Sequence, residues 1–277
     1  MSPPIATSVF YEYLPPAILT LAAMTGLASA TVVNIDFGNS ATLNVYSGQA
    51  AAPDLAGGAT ATWNPLLNVA GTASSVALKD STNTTTGIGF SLSGISGSTS
   101  NALTEGERSG GFVSLMRDYV QVDAANSTTI ATATGSFTGL VVGATCDIYF
   151  YGQGEDMSTT TGSGGFRGLN SYFEVNGVGK QTSWDGLAGG DGLLFEGIEY
   201  VKFTFVAGAG GVINFDFENV VPGGTGNVAT DLAATATGGG ARRGALNAIQ
   251  LVQVVPEPST ALLSALGILG LIVRRRR

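Results

Sequence analysis

Between Thr31 and Val255 apolar residues recur at every second position in short runs, and no run holds a helical period. Such alternation sends one set of side chains to each face of an extended strand; an amphipathic helix needs apolar residues three and four apart. In residues 32–37, Val33, Ile35 and Phe37 oppose Asn34 and Asp36. In residues 146–150, Cys146, Ile148 and Phe150 oppose Asp147 and Tyr149. Residues 200–206 set Val201, Phe203 and Phe205 against Lys202 and Thr204, and residues 212–217 carry Ile213, Phe215 and Phe217 on one face. Residues 74–78 and 88–92 read as a strand pair joined through a polar loop, and residues 246–254 as the last strand. Asn176-Gly177 between residues 169–175 and 178–184 is a strong hairpin signal, because a tight primed turn needs positive φ at both central positions. Only residues 111–121 suit a short helix. The expected fold is all-β, a jelly-roll-like β-sandwich.

Composition agrees with an extracellular domain of this kind. Only 12% of residues are charged while 41 are glycine, which suits a fold with many turns. Competing disorder is opposed by the aromatic and β-branched runs. The formal charge is -8 even though Arg274, Arg275, Arg276 and Arg277 crowd the extreme C-terminus, so the middle is more acidic still. An acidic middle cannot neutralise phosphates, so nucleic acid is not an expected partner.

Histidine is absent, which removes Ser-His-Asp and Cys-His catalysis and His-ligated zinc. The single cysteine, Cys146, has no internal disulfide partner and falls on a core-facing strand position. Carboxylates are the remaining acid-base groups. Asp216 and Glu218 share a strand face, Glu155-Asp156 lies in a Gly/Thr-rich loop, and Asp185, Asp191, Glu196 and Glu199 cluster near Trp184. Hydrolysis of a glycosidic bond needs two carboxylates facing each other across the sugar, which spacing alone does not show. The chain is therefore not expected to be an enzyme and no cofactor is expected. A structural calcium ion is the one metal these oxygen donors suit, although no Asp-x-Asp-x-Asp-Gly loop is present. A sugar would need an aromatic platform; Trp63, Trp184, Tyr149, Tyr151 and Tyr172 are the available aromatics, and Trp63, Trp184, Tyr149 and Tyr151 the candidates.

The two ends are addresses. Residues 17–27 are an apolar run followed by Ala28-Ser29-Ala30, a small-x-small cleavage pattern with Ala28 and Ala30 at its two selective positions. Residues 1–30 thus read as a secretory signal helix handled by the export translocon, with mature protein from about Thr31. It departs from the usual pattern in having no Lys or Arg before the apolar run. At the other end Pro256, Glu257 and Pro258 precede an apolar run, residues 261–273, and then the four arginines. The prolines deny strand pairing and keep that segment extended. A helix from Ser259 to Val273 would span roughly 22 Å at ~1.5 Å per residue. That is short of the ~30 Å hydrocarbon core, which fits a transient membrane-spanning helix with its arginines on the cytoplasmic side.

This three-part tail, residues 256–277, resembles the PEP-CTERM sorting signal of bacterial exopolysaccharide-associated proteins. The resemblance implies that a membrane-embedded exosortase recognises Pro256, Glu257 and Pro258 and removes the helix, with Arg274–Arg277 as the retention signal. The middle, residues 31–255, is similar to the central domain common in such proteins, through Asn34-Ile35-Asp36-Phe37, Trp63-Asn64, Ser136–Leu140 with Tyr149-Phe150-Tyr151-Gly152, Phe173-Glu174-Val175-Asn176-Gly177 and Leu246-Asn247-Ala248-Ile249-Gln250-Leu251. Domains of that look are likened to galactose-binding-like or malectin-like sandwiches. The expectation is an exported protein, held in the membrane before processing, then a cell-surface or matrix component with polysaccharide as a candidate partner. A purely structural matrix protein and a carboxylate-dependent polysaccharide-degrading enzyme are the alternatives.

Overall fold

The computed structural model describes residues 29–39, 46, 48–52, 61–68, 71–100, 112–125, 129–154, 170–183, 192–220 and 243–255. All lie in one unit, Ala28–Pro256. The second unit, Met1–Leu27 with Glu257–Arg277, is outside the described residues, and so are the predicted signal helix and membrane-spanning helix. Among the described residues no helix is long and apolar enough to cross a membrane.

Two large sheets form a sandwich. The strands, in order, are β1 (Ser29–Asn39), β2 (Asn64–Asn68), β3 (Gly71–Ser75), β4 (Gly89–Ile95), β5 (Gly97–Ser100), β6 (Asp118–Asp123), β7 (Thr132–Thr138) and β8 (Thr145–Tyr151). There follow β9 (Ser171–Val175), β10 (Val178–Gln181), β11 (Tyr200–Val206), β12 (Ile213–Asn219), β13 (Arg243–Leu246) and β14 (Ala248–Val255). One sheet has the order β11-β8-β14-β1-β2, the other β10-β9-β12-β7-β4-β3, and β13-β6-β5 make a small third sheet. Only the β1–β2 pairing is parallel among the strand pairs described.

The predicted inward residues meet between the large sheets. Val33, Ile35 and Phe37 of β1, Cys146, Ile148 and Phe150 of β8, and Ile213, Phe215 and Phe217 of β12 are buried in one core. The Phe150 ring stacks on Phe173 of the facing sheet at 4.8 Å and lies 4.8 Å from Phe215. Offset aromatic packing at such distances adds to the burial of the ring area itself. The Asn176-Gly177 turn joins β9 to β10 with φ of 52° and 75°, the two positive angles a primed hairpin requires.

Four elements differ from the sequence reading. The strand read at residues 74–78 is β3, which runs Gly71–Ser75 and stops there. The last predicted strand, residues 246–254, is two strands in two sheets, broken at Asn247. Its Oδ1 accepts from the Gln153 amide at 2.8 Å, and its Nδ2 donates to the carbonyls of Met116 (2.9 Å) and Asp118 (3.2 Å). Those bonds hold the chain as it crosses from the small sheet to a large one. The predicted helix at residues 111–121 is one turn, α1 (Val113–Met116), and then β6, whose Val120 and Val122 enter the core. β7 has no aliphatic run to announce it, since its inner face is Ala133, Gly135 and Phe137. Gly135 is required there: a Cβ would lie 2.1 Å from the Phe215 ring.

Candidate functional site

The outer face of a sandwich sheet is ordinarily polar and wet. Here the middle of the β1-containing sheet is polar and dry. Asn34 and Asp36 of β1, Gln250 of β14 and Tyr149 and Tyr151 of β8 are all buried, beneath a second apolar cluster that includes Tyr46, Ala52, Trp63, Leu115 and Met116. A buried polar row must find partners inside the protein, and most of this one does. The Tyr151 hydroxyl donates to Gln250 Oε1 in a short hydrogen bond and accepts from the Ala51 amide at 2.7 Å. Gln250 Oε1 also accepts from the Ala52 amide at 3.0 Å, and its Nε2 donates to Asn34 Oδ1 at 2.8 Å. Asn34 Nδ2 donates to the Thr62 carbonyl at 3.0 Å. The row therefore clamps backbone at residues 51–52 and 62 onto the sheet.

Asp36 is the exception within the row. Its Oδ2 accepts from the Tyr46 amide at 2.8 Å, while its Oδ1 is buried and has no hydrogen-bond partner among the described residues. Asp118, at the start of β6, also buries an Oδ1 without a partner. The two side chains are 2% and 3% exposed, and their charges repel. Burial pushes the Asp36 carboxyl up to about 8; the Tyr46 amide opposes the rise and Asp118 adds to it. Burial raises Asp118 too, against the nearby Arg117. Two carboxylates in a dry site do not both ionise readily, so Asp36 holds its proton at neutral pH. Among the described residues no group of three or more His, Cys, Asp or Glu side chains is placed to hold a metal ion.

Three of the predicted platform residues, Trp63, Tyr149 and Tyr151, lie in this covered layer. Trp63 is 4% exposed, donates from Nε1 to the Gly48 carbonyl at 3.0 Å and meets the Tyr46 ring edge-on at 5.1 Å. Tyr149 and Tyr151 do sit opposite Cys146, as the alternation predicts, but at 5% and 0% exposure they present no open ring face. Trp184 lies outside the described residues, as do Ala28, Glu155, Asp156, Asp185, Asp191, Pro256, Glu257, Pro258 and Arg274–Arg277. Cys146 is fully buried, and burial followed by the Asp147 charge pushes its thiol up to about 11, so it lacks the thiolate character of a reactive cysteine.

Among the described residues two shallow grooves are open. One, of about 340 Å³, crosses the outer face of the second sheet along Ser91, Ser93, Thr134, Ser136, Asn214 and Asp216. Burial and then the Glu174 charge raise the Asp216 carboxyl; Glu174 stands opposite it in the β9–β12 register. The other, of about 370 Å³, lies where β10 and β11 approach, and includes Lys180, Glu196, Lys202 and Phe203. Its lysines are engaged, Lys180 with Glu196 at 3.0 Å and Lys202 with Asp147 at 2.8 Å.

Sequence reasoning missed Asp36, Asp118 and Gln250. Alternation identifies the face opposite the core but carries no sign that residues distant in sequence, Tyr46, Ala52 and Trp63 among them, cover it.

The ends of the domain meet. β1 and β14 are adjacent and antiparallel, so Ala30 pairs with Val254 and Ser29 with Val255. β14 runs into the tail, and residues 254–277 match the PEP-CTERM protein-sorting motif. No curated protein matches this chain. The motif supports an exported protein with a C-terminal sorting and anchor region that an exosortase processes.

Proposed function

We propose that the chain is a cell-surface or extracellular-matrix protein whose β-sandwich is delivered by the translocon and freed from the membrane by an exosortase acting at Pro256-Glu257-Pro258. The observation that carries this reading is the sorting motif at residues 254–277, which begins within the closing strand of the domain. The sandwich reads as jelly-roll-like, since its first and last strands lie side by side and the chain passes repeatedly between sheets. Carbohydrate binding finds no support in the geometry: the rings of Trp63, Tyr149 and Tyr151 are covered, and the Ser91–Asp216 groove is lined by hydroxyls without an open aromatic face. A structural matrix role needs neither.

Replacing Glu257 by Ala tests the sorting reading in the native host. The wild-type chain should leave the membrane fraction shortened, while Glu257→Ala should accumulate there at the length of the unprocessed tail. Identical length and location for both would overturn the proposal.

A further inference from the structure

The register in which the first and last described strands pair bears on the order of processing. Along β14, β8 supplies partners from Ala248 (opposite Tyr151) to Val254 (opposite Thr145) and no further. On the other side β1 supplies Thr31 for Gln253, Ala30 for Val254 and Ser29 for Val255. Val255 therefore pairs in the described sheets with Ser29 alone, and Val254 with Ala30 and Thr145. Val254 and Val255 are also the first two residues of the matched sorting motif.

Ser29 and Ala30 belong at the same time to the small-x-small pattern Ala28-Ser29-Ala30. A cut after Ala30 removes both with the signal peptide. It leaves Val255 with no strand partner and Val254 with one. Resting on the sorting reading above, we propose that removal of the signal peptide unlocks the end of β14, so that the N-terminal cut precedes and licenses the C-terminal one.

The physical steps are simple. Pro256 and Pro258 cannot donate to a strand ladder, so an enzyme reading them needs extended, unpaired chain. With Ser29 in place, pairing reaches the residue before Pro256. With Ser29 and Ala30 gone, up to two further residues can peel from the sheet, about 7 Å of added reach at ~3.3 Å per residue. The order also suits export. Ser29 and Ala30 of the cleavage pattern lie in β1, and β1 finds its β14 partner only when the last strand has crossed, so these two residues stay unpaired while the chain is still emerging. A cut missed at that stage becomes buried in pairing, and the motif is then held at its first residues.

The experiment is a pulse-labelled time course of both ends in the native host. Ala28→Phe puts a bulky side chain in the cleavage pattern and changes no residue of the paired strands. Tail removal should slow about tenfold in this variant, the effect of holding closed one ladder hydrogen bond worth ~1.4 kcal/mol. A Gly-Ser-Gly-Ser spacer inserted between Val255 and Pro256 in the same variant should restore the wild-type rate. Tail removal at the wild-type rate in Ala28→Phe overturns the proposed order. Slow removal that the spacer fails to restore overturns the pairing explanation, because the membrane tether of an uncut signal peptide would then be the cause. A wild-type chain that keeps its tail fails the sorting reading itself, and this proposal with it.

Discussion

Phe150→Ala lowers the stability of the domain by ~3–5 kcal/mol, read as a large drop in the midpoint of a urea melt. The ring sits at the centre of the sandwich, fully buried, stacked on Phe173 and in contact with Phe215 and Phe203. Truncation removes the transfer free energy of the whole ring and leaves a cavity whose walls are other phenylalanines on two different sheets. Those walls are held by their own strand pairings and can close only partly. Val206 of β11 is the control, since it is 62% exposed and its replacement by Ala should stay within about 0.5 kcal/mol. Equal, small effects at both positions would mean that the two sheets do not pack as described.

Asp36→Asn raises stability at pH 8 and removes most of the pH dependence between pH 5 and 8. The folded carboxyl is raised from an ordinary value near 3.8 to about 8, so between those limits the fold keeps a proton that the unfolded chain has released. The native state then binds more protons than the unfolded state, and stability falls as pH rises through that window, by up to ~1.4 kcal/mol per unit. The stabilising contribution of the neutral acid is complete at and below the unfolded value and is lost by the folded one. An asparagine keeps an oxygen for the Tyr46 amide without a charge to bury. Asp118→Asn should act in the same direction, because burial raises that carboxyl as well. Thermal melts at pH 5, 6.5 and 8 decide the matter. A wild-type protein that gains stability over this range, or an Asp36→Asn protein weaker at pH 8, would show that Asp36 is charged and compensated in the fold.

How much of this was legible in the sequence depends on what each residue reports. Core-facing alternation is a local signal, and β1, β8, β11 and β12 follow it; so does the Asn176-Gly177 hairpin, where backbone chemistry alone dictates the turn. β7 was opaque because its inner face uses Ala and Gly to make room for Phe215, and the demand for small residues comes from another strand. The split at Asn247 was opaque for the same reason, as its bonds reach Gln153, Met116 and Asp118 far along the chain. Tyr149 and Tyr151 are on the predicted face, but a tertiary fact hides their rings: Tyr46, Ala52 and Trp63 pack over them. The sorting motif needed no structure, being a linear signal; what the structure adds is that it begins in a strand paired with the other end of the domain.

The intact mass of the protein recovered outside the cytoplasm of its host tests the central claim most directly. The expected mass is that of a chain beginning near Thr31 and ending near Pro256–Pro258, without residues 261–277. A mass that still contains the apolar run and Arg274–Arg277 at the final location would contradict it.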